Sequence, residues 1–143
     1  MGRNTLKLDM KGFDEYLTKL DKLGADLKPI ITDALSEVGE TIGDDTLDAV
    51  DKSNLPAGGE YSKGDTEKSV ILSPEVEWIG TVAEIGVGFD YGKPGAGGYL
   101  ITGTPRMAPD RALNRMYKGR KYMSQIKNDI KDILVDEMER RMT

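Results

Sequence analysis

Cysteine and histidine are both missing from the 143 residues. Without cysteine there is no disulfide, no thiolate nucleophile and no cysteine-ligated zinc or iron–sulfur site. Without histidine the commonest general base and the commonest transition-metal ligand are gone as well, which leaves carboxylates, Lys, Tyr, Ser and Thr for any chemistry. An enzyme is possible but disfavoured on these grounds, and no catalytic residue, cofactor or metal site is expected. Aromatics are scarce at 6%, including one Trp and two Phe, so the core should be modest. Nor does any window approach the roughly 18 consecutive apolar residues of a membrane span. The N-terminal MGRNTLKLDM has no apolar signal region, and its Thr5 falls one position short of a myristoylation pattern. A soluble chain is expected.

What is present is enough for one domain, 1–143, at 38% apolar and 31% charged residues. The net charge of −5 is unevenly spread: 7 basic against 12 acidic side chains over 1–52, 3 against 7 over 53–104, and 10 against 6 over 105–143. This polarity suits self-association of unlike faces, or an anionic partner for the basic end.

Leu6, Leu8 and Met10 alternate with polar residues as in a short strand. Phe13, Tyr16, Leu17, Leu20 and Leu23 then recur at helical spacing, with Gly24 as the C-terminal cap. Asp26 is placed to cap a long helix over 26–52, where Pro29 falls harmlessly in the first turn. Its apolar stripe is Leu27, Ile30, Ile31, Ala34, Leu35, Val38, Ile42, Ala49 and Val50; Glu37, Glu40, Asp44, Asp48 and Asp51 lie largely off it. Gly39 and Gly43 each cost such a helix about 1 kcal/mol. Either another backbone approaches closely there, or the helix kinks or frays after Gly43.

The aperiodic SNLPAGGEYSKGD reads as a mobile loop of about 53–66. Val70–Leu72, then Val76, Trp78 and Ile79, then Val82 to Phe89 read as three strands, turned at SPE (73–75) and GT (80–81). A last helix runs from about Lys121 to Met142 on Met123, Ile126, Ile130, Ile133, Leu134 and Met138. The expected fold class is thus α+β: an antiparallel sheet of three to five strands with a long helix and a C-terminal helix packed on it.

The glycine-rich GAGGYLITGTPRMAPDRAL, Gly95 to Leu113, suggests a phosphate loop but fails its spacings. Gly92-Lys93 is followed by Pro94 rather than Ser or Thr, and Leu100 stands where a dinucleotide fingerprint needs its third glycine. Its glycines read as loop flexibility before the short run Tyr99 to Ile101. Gly103-Thr104-Pro105 reads as the turn ending that run, and Asp110 as the N-cap of a helix. The pairs Asp44-Asp45 and Glu75 with Glu77 lack a third oxygen ligand at any recognisable spacing and read as solvated surface. Trp78 reads as a core or edge anchor of the sheet.

The strongest electrostatic feature is basic: Arg106, Arg111, Arg115, Lys118, Arg120 and Lys121 stand against Asp110 alone over 106–121. Tyr117 and Tyr122 interleave with these cations as stacking residues would in a nucleic-acid-binding accessory module. The pI of about 4.8 is wrong for a free DNA-binding domain, and pairing with an acidic face of the same fold or of a neighbour is the alternative. Tyr61 and Lys63 of the loop join these six as candidate interaction residues.

Over nearly its whole length the chain resembles the small neck, or tail-completion, proteins of long-tailed bacteriophages. One motif is the helix start GFDEYLTKLDKL, ahead of a long helix and a loop. A second is GDTEKSV, a Gly-x-Leu-x-x-Ser-type lead into the sheet with Gly64 and Ser69 in place and Thr66 where the family usually has Leu. The most telling is GTPRMAPDRAL, Gly103 to Leu113: a Gly-Thr pair, a Pro-containing turn and a helix. Two departures are Ile101, where the family commonly has an acidic residue, and GKPGAGG, a local insertion after Tyr91. The resemblance implies a phage or prophage virion component, made in the bacterial host cytoplasm. It would form a homo-oligomeric ring at the head–tail junction, with neighbouring connector or tail proteins as partners, passive contact with channel DNA, and no membrane. The loop 53–66 is expected to order on contact with an adjacent ring or protein.

Overall fold

The structure, a computed structural model, describes residues 6–9, 12–53, 63–79, 82–90, 93, 95–106 and 108–142. A strand β1 (Leu6–Asp9) leads to helices α1 (Asp14–Lys22), α2 (Leu27–Asp51) and α3 (Lys63–Ser69). Strands β2 (Glu77–Ile79) and β3 (Val82–Val87) follow, then helices α4 (Gly97–Thr102), α5 (Arg111–Lys118) and α6 (Lys121–Met142).

The start of this series follows the sequence closely. Beyond α1, Gly24 takes a φ of 80°, its N–H donates to Asp21 O at 3.0 Å, and Ala25 N–H donates to Leu20 O at 3.1 Å. This is the Schellman arrangement, in which a left-handed glycine turns the chain back over the last helical carbonyls. Asp26 occupies the N-cap of α2 with an extended backbone, but its side chain makes no capping hydrogen bond.

At 25 residues, α2 is about 37 Å long at 1.5 Å per residue and is the axis of the molecule. One face buries Ile31, Ala34, Leu35, Val38, Ile42, Ala49 and Val50 against β3, α3, α5 and α6. Each Ile, Leu or Val among these contributes about 1.5–3 kcal/mol on burial, which outweighs the cost of the two glycines. Those glycines mark a close approach, and α2 continues through both without fraying. A Cβ at Gly43 would stand 2.6 Å from Ile71 O and 2.9 Å from Leu72 Cα. One at Gly39 would meet Ile85 Cδ1 and Pro74 Cγ, each at 2.8 Å.

The sheet-based fold class is overturned. Among the described residues six helices of 9, 25, 7, 6, 8 and 22 residues form the framework, and the strands have four, three and six residues. The protein is mostly helical, so an α+β layout built on a sheet of three to five strands does not describe it. The pairing is a small antiparallel patch in the order β1-β3-β2, with β3 central, Leu8 opposite Ile85 and Trp78 opposite Ala83. Ala83, Ile85 and Val87 turn inward toward α2, in alternation with Val82, Glu84 and Gly86.

The strand expected at Val70–Leu72 shrinks to a single bridge between Val70 and Phe89, with Ile71 N–H donating to Gly88 O at 2.9 Å. Gly88, at a φ of 119°, carries the chain off the path of β3, and Pro74 leaves its side of the pairing without a donor. The expected loop of 53–66 is also shortened. Residues 54–62 lie outside the described set, and 63–66 already belong to α3. The lead into the sheet is therefore helical. Thr66 is fully buried, and its hydroxyl accepts the Ala96 N–H at 2.8 Å.

Glycines 95 and 97 are packing residues, not sources of flexibility. Gly95, with a φ of 152°, lies so near α3 that a Cβ would be 3.0 Å from Thr66 Cα, and a Cβ on Gly97 would enter the ring of Phe89. The run Tyr99 to Ile101 is part of α4, which ends at Gly103 with a φ of 76°. Ile101 has no exposed surface, so the acidic residue common at that place in the resembling family has no room here. The C-terminal helix α6 follows expectation, burying Ile126, Ile130 and Leu134.

Candidate functional site

The segment from Gly103 to Lys121 is a built surface. Thr104 Oγ1 accepts the Arg106 N–H at 3.2 Å inside the turn. The start of α5 is then fastened to the end of α4: Asp110 N–H donates to Leu100 O at 2.7 Å, and Asn114 Nδ2 donates to Ile101 O at 2.8 Å. Terminal carbonyls of α4 that would otherwise lack partners are satisfied in this way. Asp110 caps α5 as expected, its Oδ2 accepting the Leu113 N–H at 3.1 Å.

Helix α5 has two opposed faces. Leu113, Met116 and Tyr117 are buried, while Arg111, Arg115 and Lys118 are exposed at i, i+4 and i+7. The buried face is fixed to α2 by a polar contact, Thr46 Oγ1 and Tyr117 Oη lying 2.7 Å apart with Thr46 also donating to Ile42 O. Arg106 precedes this helix and Arg120 and Lys121 follow it, all three exposed. Among the described residues the ion pairs are local ones: Lys19–Glu15, Lys52–Asp48, and Arg140 and Arg141 with Glu137. None involves the six candidate cations, so pairing with an acidic face of the same fold does not account for them. Tyr61 lies outside the described residues, and Lys63 opens α3.

The two tyrosines that interleave with the cations are used inside the fold. Tyr117 is buried against Thr46, and Tyr122 is half-buried with its hydroxyl donating to Asp45 Oδ2 at 2.7 Å. Burial first, and then the hydrogen bond to Asp45 and its charge, hold the Tyr122 phenol well above its ordinary pKa of 10.0. Neither ring is free to stack on a base. Trp78 anchors the sheet edge to α2: its Nε1 donates to Thr32 Oγ1 at 3.1 Å, and Lys28 Nζ lies 5.3 Å from the ring centroid.

The paired carboxylates do not converge. Asp45 is held by Tyr122 while Asp44 faces solvent, and Glu75 and Glu77 are both exposed. Among the described residues no three acidic side chains come together in a way that could hold a metal ion.

The sequence sets Glu37, Glu40, Asp44, Asp48 and Asp51 largely off the apolar stripe of α2, on an acidic face read as solvated. With Asp33 added, Asp33, Glu37, Glu40 and Asp44 form one exposed stripe at i, i+4, i+7 and i+11. That spacing was the available signal. Asp48 and Asp51 extend the stripe toward the C-terminal end. No described helix is long and apolar enough to cross a membrane. Comparison with family models, with curated proteins and with solved structures finds no match.

Proposed function

We propose that the chain is a non-enzymatic structural protein of a phage virion, a neck or tail-completion component that assembles as a homo-oligomeric ring at the head–tail junction. The observation that carries this reading is the Gly103–Lys121 segment. It is rigidly mounted on α4 and α2, yet it spends that rigidity on presenting cations that pair with nothing in the described chain. A surface fixed in this way is matched to a partner. The motif order supports the same reading, with the GFDEYLTKLDKL helix, the long α2 and the Gly-Thr turn ahead of α5 following one another along the chain.

A nucleic-acid-binding accessory module is the second reading. With Tyr117 and Tyr122 engaged by Thr46 and Asp45, the two rings that interleave with the cations offer it no stacking platform, and it rests on phosphate contact by Arg and Lys. Passive contact with channel DNA is compatible with the ring. Immunogold labelling of intact virions with antibodies to this chain tests the proposal. Label at the head–tail junction is expected, and particles that carry none would overturn it.

A further inference from the structure

Two charged stripes stand on opposite sides of the molecule. Successive residues of a helix are about 100° apart around its axis. Thr46 marks the side of α2 that meets α5, and Tyr117 the side of α5 that meets α2. Asp33, Glu37, Glu40 and Asp44 all lie more than 100° around α2 from Thr46, and Arg111, Arg115 and Lys118 lie about 100° or more around α5 from Tyr117. The two stripes therefore face outward in opposite directions. Within one chain they cannot meet, whereas between copies related by a rotation they can.

Their dimensions agree as well as their signs. The cations recur at i, i+4 and i+7 on α5; Asp33, Glu37 and Glu40 recur at the same spacing on α2, and Asp44, Glu40 and Glu37 do so when α2 is read in the opposite direction. A run of eight residues is about 10 Å long, so three cations and three carboxylates come into register along one helix pair. All of these side chains are exposed, and none forms an ion pair with a described residue.

We propose that copies of this chain associate head to tail, the Asp33/Glu37/Glu40/Asp44 stripe on α2 of one copy against the Arg111/Arg115/Lys118 stripe on α5 of the next. Such a contact is heterologous, because each copy uses two different faces, and it generates a ring when the rotation closes. The closure rests on the ring reading above; the pairing rests on the charges.

The test is a charge exchange followed by sedimentation velocity. One variant carries Arg111→Glu and Arg115→Glu, and the other Glu37→Lys and Glu40→Lys; all four positions are exposed, and circular dichroism checks that both variants fold as the parent does. The parent should associate at low ionic strength and loosen by at least tenfold when salt shortens the Debye length from about 10 Å to about 3 Å. Each variant alone should associate at least tenfold more weakly than the parent, because the arginine variant turns its basic face net acidic and the glutamate variant leaves its acidic stripe with no net charge. An equimolar mixture of the two should recover association. Variants that assemble like the parent, or a mixture that fails to recover, overturn the interface and leave the ring reading standing. A parent that stays monomeric throughout removes both. A labelled DNA duplex is titrated in parallel. Loss of DNA binding by the arginine variant with its self-association unchanged would assign the basic face to DNA and overturn the proposal.

Discussion

Replacing Gly43 by alanine sets two effects of known sign against each other. Alanine is the better helix former by about 1 kcal/mol, so an open site would gain stability. At Gly43 the new methyl would lie 2.6 Å from Ile71 O and 2.9 Å from Leu72 Cα. Contacts between such atoms are comfortable at about 3.5–4.0 Å, so the strap of residues 71–72 must retreat by about 1 Å. Both atoms are backbone, and no side-chain rotation relieves them. The retreat strains the Ile71 N–H to Gly88 O bond of 2.9 Å and the Val70–Phe89 bridge that ties the strap to the end of β3. Overpacking of this kind costs about 1–3 kcal/mol, and the weakened hydrogen bond about 1 kcal/mol more. The net expectation is a loss of about 1–3 kcal/mol, or a Tm lower by roughly 3–9 °C, read from far-UV circular dichroism melts. Gly64→Ala is the control: Gly64 lies in α3 with no atom within 4 Å of its would-be Cβ, so that variant should keep or raise the Tm. If Gly43→Ala raised the Tm alongside it, the close approach of residues 71–72 to α2 would be wrong.

Asp110→Ala removes the cap of α5 and should cost about 1 kcal/mol in denaturant unfolding, with Asp110→Asn retaining most of it. Tyr117→Phe leaves a buried Thr46 hydroxyl short of one partner and should cost about 1–2 kcal/mol; a double-mutant cycle with Thr46→Val should show coupling, and strict additivity would refute the contact. The raised Tyr122 pKa means that the folded state holds its phenolic proton more tightly than the unfolded state does. Its contribution to stability is therefore complete below about pH 10 and declines as the pH climbs from there toward the folded pKa. Tyr122→Phe should flatten the alkaline limb of a stability–pH curve, and an unchanged limb would contradict that environment.

Long periodic segments were legible in the sequence for a simple reason: a helix that buries one face must repeat its apolar residues. Thus α1 with its Gly24 turn, α2 and α6 all stand where their stripes put them. Gly39 and Gly43 were legible as a cost that needs an offset, by a close approach or by a kink or fray, and the neighbours of their would-be Cβ atoms decide for the close approach. The two shortest helices, α3 and α4, were not legible. KGDTEKS has no apolar stripe; it is tied in through buried Thr66 and Ser69, whose hydroxyls meet Ala96 N–H and Thr66 O. Six-residue α4 is too short to be stable by propensity alone, and it exists because Phe89 lies on Gly97 while Asp110 and Asn114 satisfy its last carbonyls. Missing these two helices, and counting Val70–Leu72 as a strand, gave the sheet more weight than it has. The six cations were visible as a run, but which of them share a face became clear only once the limits of α5 and the inward turn of Leu113, Met116 and Tyr117 were fixed.

The central claim is head-to-tail assembly of a structural subunit, and electron microscopy of the purified protein at high concentration and low salt addresses it most directly. Closed rings of uniform diameter are predicted, with every subunit in the same orientation. Two-fold dimers, in which like faces meet, would contradict it, and so would single subunits at every concentration.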